Sequence, residues 1–211
     1  SWNDLIELSK NKKVLWPLKS IHAISSFYSI CNNLDKPFNP NSEVFVDKQI
    51  AIKTLEMMRE IYKYLPRDCL KMDPIQTSEY MVENNDIVYC PYIYGFSNYS
   101  RLGFKKKILF FSNVLDLVGN GPVGTHLGGT GIAVSNKSSF KKEAFEYAYW
   151  IAGSNCQKSI FFESGGQPAN AKAWEDAIIN QETNNFFVNT RDTLEGAWIR
   201  PRHNGYMKFQ D

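Results

Sequence analysis

Apolar side chains recur at intervals of three and four residues along several stretches of the chain, which is the spacing of one helix face. The clearest stripe runs from Asp47 to Leu65, with Asp47 suited to cap its start and Pro66 to end it. A capping-box pattern, with Ser1 at the cap and Asp4 three residues on, predicts a helix at the start of the chain. The same reasoning predicts further helices over about 20–34, 77–83, 139–152, 154–162, 170–180 and 190–196.

Short apolar runs between these helices predict β-strands over residues 14–18, 86–92, 105–111 and 131–135. Because such strands are few and are separated by helices, the pattern indicates a layered α/β or α+β domain. We expect an α/β fold in which helices pack around a small mixed sheet. In the helix that ends at Ala152, the residues predicted to face inward are Phe140, Ala144, Tyr147, Ala148 and Ile151.

Composition and charge narrow the class of protein. The chain has 211 residues, of which 43% are hydrophobic, so it is long and apolar enough to fold around a core. Its 24 basic and 22 acidic side chains nearly balance, which argues against a nucleic-acid partner. The four cysteines form no Cys-x-x-Cys motif, so we expect buried thiols rather than a metal or redox site. The start of the chain has neither Met nor a signal-peptide pattern, which indicates a piece of something longer.

Two segments invite a ligand-binding interpretation. Residues 92–99 are rich in aromatic side chains, which cannot all point inward from a strand and turn because strand side chains alternate between faces. Exposed rings there suit a sugar, although core packing with an ordinary tyrosine-rich loop explains them equally well. Residues 119–124 match the dinucleotide pattern G-x-G-x-x-G, but three more glycines follow within seven residues and cannot continue a helix. We therefore interpret 119–131 as a glycine-rich connection, which either approaches a ligand or simply turns.

Enzymatic motifs are missing from the sequence. The pattern G-x-S-x-G does not occur, and the three histidines, His22, His126 and His203, fit no catalytic arrangement. His22 is expected to be satisfied within the structure, whereas His126 is free to touch a ligand. The carboxylate pairs Asp68 with Asp73 and Glu175 with Asp176 resemble solvated surface. We predict no catalytic residue, no metal site and no cofactor, and keep a carbohydrate-active hydrolase as the alternative.

Taken in order, four segments resemble the extracellular solute-binding proteins of carbohydrate ABC transporters, the family that includes maltose-binding protein. They are residues 1–8 (SWNDLIEL), 128–135 with the following helix (GGTGIAVS), 164–169 (SGGQPA) and 200–206 (RPRHNGY). The resemblance implies a periplasmic-binding-protein-like lobe. The whole of residues 1–211 is then one C-terminal-type lobe, with the other lobe and the C-terminal helices lying outside the sequence.

The resemblance also implies a function. Such proteins close two lobes about a hinge around a sugar or related solute and deliver it to a membrane permease, without covalent chemistry. They are extracellular or periplasmic, in some cases lipid-anchored. Matching positions nominate eight residues for ligand contact, which are Trp16, Tyr92, Tyr94, Phe96, His126, Gly128, Gly129 and Arg200. A third hypothesis, beside the receptor and the hydrolase, is a protein-interaction module.

Overall fold

A computed structural model describes residues 1–35, 37–39, 42 and 44–210 of the chain. About half of the chain is helical. In chain order the α-helices are α1 (Trp2–Lys10), α2 (Ser20–Leu34), α3 (Lys48–Tyr62), α4 (Pro74–Glu83), α5 (Lys141–Ala152), α6 (Ser154–Lys158), α7 (Ile160–Glu163), α8 (Ala171–Trp174), α9 (Ala177–Glu182), α10 (Phe186–Glu195) and α11 (Tyr206–Gln210). Single 3₁₀ turns lie at Arg67–Leu70 and Ser97–Ser100.

The prediction of a small mixed sheet is wrong. Across the described residues the strand-like segments form no sheet, and only isolated bridges join Val14 to Tyr89, Leu102 to Lys105 and His126 to Trp198. A ladder needs consecutive paired residues, but pairing between the first two predicted strands stops after one bridge. Pro17 and Pro91 lie just beyond it and have no N–H to donate. The fold is therefore a set of packed helices joined by extended segments.

Local capping chemistry explains where the helices begin. Ser1 and Asp4 form the predicted capping box, and the Asp47 carboxylate accepts hydrogen bonds from two backbone N–H groups at the start of α3. α4 begins three residues earlier than predicted, because Asp73 and Gln76 form a second capping box with Pro74 in the first turn.

The chain separates into two compact units. The first consists of Ser1–Gly95, Ser112–Leu127 and Asp192–Asp211, and the second of Phe96–Phe111 and Gly128–Arg191. All four cysteines are free thiols, and Cys31, Cys69 and Cys156 are buried as predicted. No helix in the described part of the chain is long and apolar enough to cross a membrane.

The first unit has two buried clusters. The larger packs α1, α2 and α3 around the extended segment before α2, with Trp16 fully buried at its centre. The smaller is aromatic and joins Tyr28 of α2 to Phe38 and Trp198, with the Trp198 indole N–H donating to the Phe38 carbonyl at 3.0 Å. This second cluster positions the site described below.

The second unit is built on short helices after residue 153. Its buried core consists of Phe162, Ala173, Trp174, Ile179, Phe186 and Phe187. The Arg101 guanidinium lies 3.7 Å from the centre of the Phe162 ring and donates to the Phe162 carbonyl. α5 differs from this core, because none of its residues is buried. The predicted inward positions of Phe140 and Tyr147 are therefore wrong, since both rings are more than half exposed.

Candidate functional site

The histidine of the glycine-rich connection is held in place by backbone bonds. The Leu127 N–H donates to the Trp198 carbonyl at 2.9 Å, and the Trp198 N–H donates to the Thr125 carbonyl at 2.7 Å. The His126 N–H donates to the Ser29 hydroxyl of α2 at 3.0 Å. These three bonds fix the backbone on both sides of His126 and direct its ring toward α2.

The His126 side chain is buried, with one nitrogen satisfied and the other not. Its Nδ1 lies 2.9 Å from the Ser25 hydroxyl and 3.1 Å from the Tyr94 hydroxyl. Because Ser25 donates its only hydroxyl proton to the Ile21 carbonyl at 2.8 Å, we assign Nδ1–H as the donor to the Ser25 oxygen, with the Tyr94 oxygen as a second acceptor. Nε2 is then an acceptor, and it has no hydrogen-bond partner among the described residues although the side chain is only 8% exposed.

Burial also controls the charge of this site. Removal from water and, to a smaller extent, the Arg200 guanidinium together lower the pKa of His126 to about 4. Burial raises the pKa of Tyr94 above its usual value. At neutral pH the site therefore presents an uncharged imidazole beside an uncharged phenol.

Aromatic rings pack around the His126 ring. The His126 ring centre lies 5.8 Å from Trp198, 6.2 Å from Tyr28 and 6.4 Å from Tyr94. On another side of Tyr94, the His22 ring packs edge-on at 6.3 Å. We call His22, Ser25, Tyr28, Tyr94, His126, Trp198 and Arg200 the His126 cluster.

A second unpaired nitrogen lies in the same cluster. His22 Nδ1 is buried and has no partner within the described ranges, so the expectation that His22 is internally satisfied is wrong. Burial lowers its pKa. A cavity of about 310 Å³ opens beside the first turns of α2 and is lined by Ser20, Ile21, Ile24 and Gln210. Ile21 lines this cavity, and its backbone carbonyl accepts the hydrogen bond from the Ser25 hydroxyl.

The structure places the other nominated residues as follows. Trp16 and Tyr92 stack on each other at 5.9 Å within the core, where the Trp16 indole donates to Ser26. Arg200 is exposed. Phe96, Gly128 and Gly129 belong to the second unit and are exposed there. Their ligand contacts stay predictions.

The residues around His126 that the sequence analysis did not nominate are His22, Ser25, Tyr28, Ser29 and Trp198. The available signal was the spacing of the two serines, which are four residues apart on a predicted helix and so share a face. What was missing was the knowledge that His126, about a hundred residues later, packs on that face.

The backbone N–H groups of the dinucleotide-like segment bind a carboxylate of the chain itself. The Asp116 carboxylate accepts hydrogen bonds from the N–H groups of residues 118–121 at 2.7–3.1 Å. These bonds lower the pKa of Asp116. A phosphate at this loop would compete with a resident carboxylate for the same donors, which agrees with the interpretation of 119–131 as a connection.

The carboxylate pairs considered for hydrolysis also have structural uses. Asp73 and Asp176 cap helices, and Asp176 pairs with Lys158 at 2.6 Å. Glu175 pairs with Arg191 at 2.8 Å. No group of three or more potential metal ligands occurs in the part of the chain that the structure describes.

Comparison with known proteins finds a similar fold but identifies no family. Neither family models nor curated protein sequences match this chain. Among solved structures, the chain is similar to the maltose-bound MalE3 of T. maritima, with a TM-score of 0.71 and 17% identity. The match covers 100% of this chain and 57% of that one. The chain therefore has the fold of part of a sugar-bound protein, and it spans little more than half of that protein's length.

Proposed function

We propose that this chain is part of a solute-binding protein that captures a small hydroxylated solute, in the simplest case a sugar, at the His126 cluster. The observation that carries the proposal is the buried and unpartnered Nε2 of His126. A buried polar atom without a partner is costly, and a ligand hydroxyl would remove that cost by donating to it. The likeness of fold to a maltose-bound protein supports the same class of ligand.

The chemistry of the cluster suits an uncharged polyol. A hydroxyl group both donates and accepts, so it can satisfy Nε2 of His126 and serve Nδ1 of His22 without a change of protonation. The half-buried ring of Tyr94 supplies a flat apolar face against which the carbon side of a sugar ring packs, while the buried rings of Tyr28 and Trp198 contact the His126 ring. The exposed Arg200 adds a further hydrogen-bond donor near the cluster.

The wider role follows from the sequence resemblance. We infer that the protein delivers its solute to the membrane permease of an ABC transporter, outside the cytoplasm, through hinge closure of a two-lobed receptor. The segments at 1–8, 128–135, 164–169 and 200–206 support this inference, together with the fold. No catalytic step forms part of the proposal.

Isothermal titration of the chain with a panel of mono- and oligosaccharides that includes maltose tests this function. His126→Asn retains an amide nitrogen near the position of Nδ1 but removes Nε2. Loss of one buried hydrogen bond costs about 1–3 kcal/mol. We therefore expect the variant to bind the preferred sugar about ten- to a hundredfold more weakly.

His203→Asn is the matched control, because it makes the same change at an exposed histidine, and its affinity should equal that of the parent chain. His126→Gln, which keeps an amide near Nε2, should recover part of the binding. Equal affinity for His126→Asn and the parent, or no heat with any sugar of the panel, would contradict the proposal.

A further inference from the structure

One loop of the second unit concentrates positive charge. Residues 96–111 contain four basic side chains and no acidic one, whereas the whole chain has 24 basic and 22 acidic side chains. Three of the four follow one another at Lys105, Lys106 and Lys107, and no other three consecutive residues of the sequence are all basic. We call residues 101–110 the basic loop.

Both ends of the basic loop are fixed to the rest of the second unit. At its start, the Arg101 guanidinium stacks on the Phe162 ring and donates to the Phe162 carbonyl at 2.8 Å. Near its end, the Leu109 carbonyl accepts a hydrogen bond from the Ser100 hydroxyl at 2.7 Å. Because Arg101 is committed to these contacts, the lysines carry the charge that the loop presents to water, and Lys106 is exposed.

Apolar side chains on both sides of the lysines are left in water. Leu102 is 76% exposed, Phe104 45% and Phe110 77%. The Lys105 ammonium lies 5.6 Å from the centre of the Phe104 ring, so a cation and an apolar side chain are neighbours in the loop. A single exposed apolar residue needs no explanation, but three of them around a basic run form one amphiphilic surface.

We propose that the basic loop docks the second unit on the surface of an anionic lipid bilayer. The lysine ammonium groups lie among the negatively charged headgroups, and Leu102, Phe104 and Phe110 enter the boundary between headgroups and acyl chains. The fixed ends of the loop present these side chains without a prior folding step. This inference does not depend on the solute proposed above.

The mixture of charged and apolar side chains favours a bilayer over other anionic partners. A nucleic acid would attract the lysines through its phosphates, but Leu102 and Phe110 would gain nothing from phosphate contacts. An acidic protein surface would need a separate apolar pocket for each of these two side chains. An anionic bilayer meets both requirements at once, because negative charge and an apolar phase lie within a few ångströms of each other across its whole area.

Co-sedimentation of the chain with lipid vesicles at about 0.1 M salt tests the proposal. Vesicles of phosphatidylcholine with about 30% phosphatidylserine should bind the chain about fivefold or more tightly than vesicles of phosphatidylcholine alone. Equal binding to the two kinds of vesicle, or binding to neither, would overturn the proposal. Equally tight binding to soluble polyglutamate would also overturn it, because the apolar side chains would then contribute nothing.

Two pairs of matched variants separate the apolar and the charged contributions. Phe110→Ser and Ile178→Ser each remove an apolar side chain of the second unit, one 77% and the other 66% exposed, and only Phe110→Ser should weaken binding to the anionic vesicles, by about tenfold. Lys106→Gln should weaken it by about fivefold, whereas Lys172→Gln, at an exposed lysine outside the loop, should change it much less. Equal effects within either pair would contradict docking through the basic loop.

Discussion

At the scale of single residues, His126 combines burial, neutrality and an open hydrogen-bonding position. We assign the ring proton to Nδ1, because the Ser25 hydroxyl proton is committed to the Ile21 carbonyl and the Ser25 oxygen accepts from Nδ1–H in this tautomer. Burial keeps the ring uncharged, since a cationic imidazole would lose its hydration without gaining a carboxylate partner. In this tautomer Nε2 is a neutral acceptor with no hydrogen-bond partner among the described residues.

The lowered pKa of His126 predicts acid sensitivity of a defined sign. Its pKa falls from an ordinary 6.5 to about 4 in the folded chain, so below pH 6.5 the unfolded state binds the proton first. Stability should be independent of this group above pH 6.5 and fall as the pH drops from 6.5 to 4, by about 3 kcal/mol in all. His22 acts in the same direction, because burial lowers its pKa as well.

Urea unfolding at a series of pH values between 7 and 4 measures this dependence. His126→Asn should flatten the curve over that range, leaving the smaller contribution of His22 and the carboxylates. A variant whose stability declines with acid as steeply as the parent would show that His126 is not buried in its neutral form.

At the scale of elements, α2 organises the first unit through polar residues on its inner side. Ser25 and Ser29 hold His126, while Asn32 and Asn33 in the next turn hold the glycine-rich connection. The Asn32 amide donates to the Gly124 carbonyl at 3.1 Å. The Asn33 amide donates to the carbonyls of Gly121 and Val123 at 3.0 Å, and its oxygen accepts from the Leu117 N–H. One buried helix thus positions both the site residue and the loop that leads to it.

Close packing of α2 against this loop makes Gly124 sensitive to substitution. A Cβ at Gly124 would lie 2.5 Å from the Asn32 Cβ, and its φ of +83° is already unfavourable for other residues. Gly121 has a similar φ of +86° but open space around it, so it is the matched control. We expect Gly121→Ala to cost about 1–2 kcal/mol from backbone strain alone. Gly124→Ala should cost about 1–3 kcal/mol more, because a buried clash must be relieved.

Chemical denaturation of the two variants gives the comparison directly. Equal losses of unfolding free energy would show that the connection is not packed against α2 at Gly124.

Helices were more predictable than strands because their determinants are local. α2 has the predicted bounds, and the caps at Ser1 and Asp47 were legible as side chains placed before an apolar stripe. The strand predictions were wrong because a strand needs a paired neighbour. Residues 86–92 form one bridge, and residues 131–135 form none within the described chain. Only part of the site could be predicted, because its residues are brought together by contacts between distant parts of the sequence. Tyr94 and His126 were nominated, but Ser25 and Trp198 are distant in sequence and no local pattern links them to His126.

At the scale of the whole molecule, the chain is two compact units that bury their apolar side chains to different extents. The first unit buries two apolar clusters and contains the His126 cluster, whereas the second buries a small core and leaves α5 in water. The similarity to maltose-bound MalE3 covers 100% of this chain and 57% of that one, and it concerns the fold alone. The proposed receptor function rests on the His126 cluster of the first unit.

The most direct test of the central claim is the nitrogen-15 NMR spectrum of the histidine side chains during titration with maltose and the rest of the sugar panel. Without sugar, His126 should show a protonated Nδ1 and an unprotonated Nε2. At millimolar sugar we expect a saturable shift of the His126 Nε2 resonance as it accepts a ligand hydroxyl, while the exposed His203 stays unchanged. A bound sugar that leaves Nε2 of His126 unmoved, or no shift with any sugar of the panel, would contradict the account.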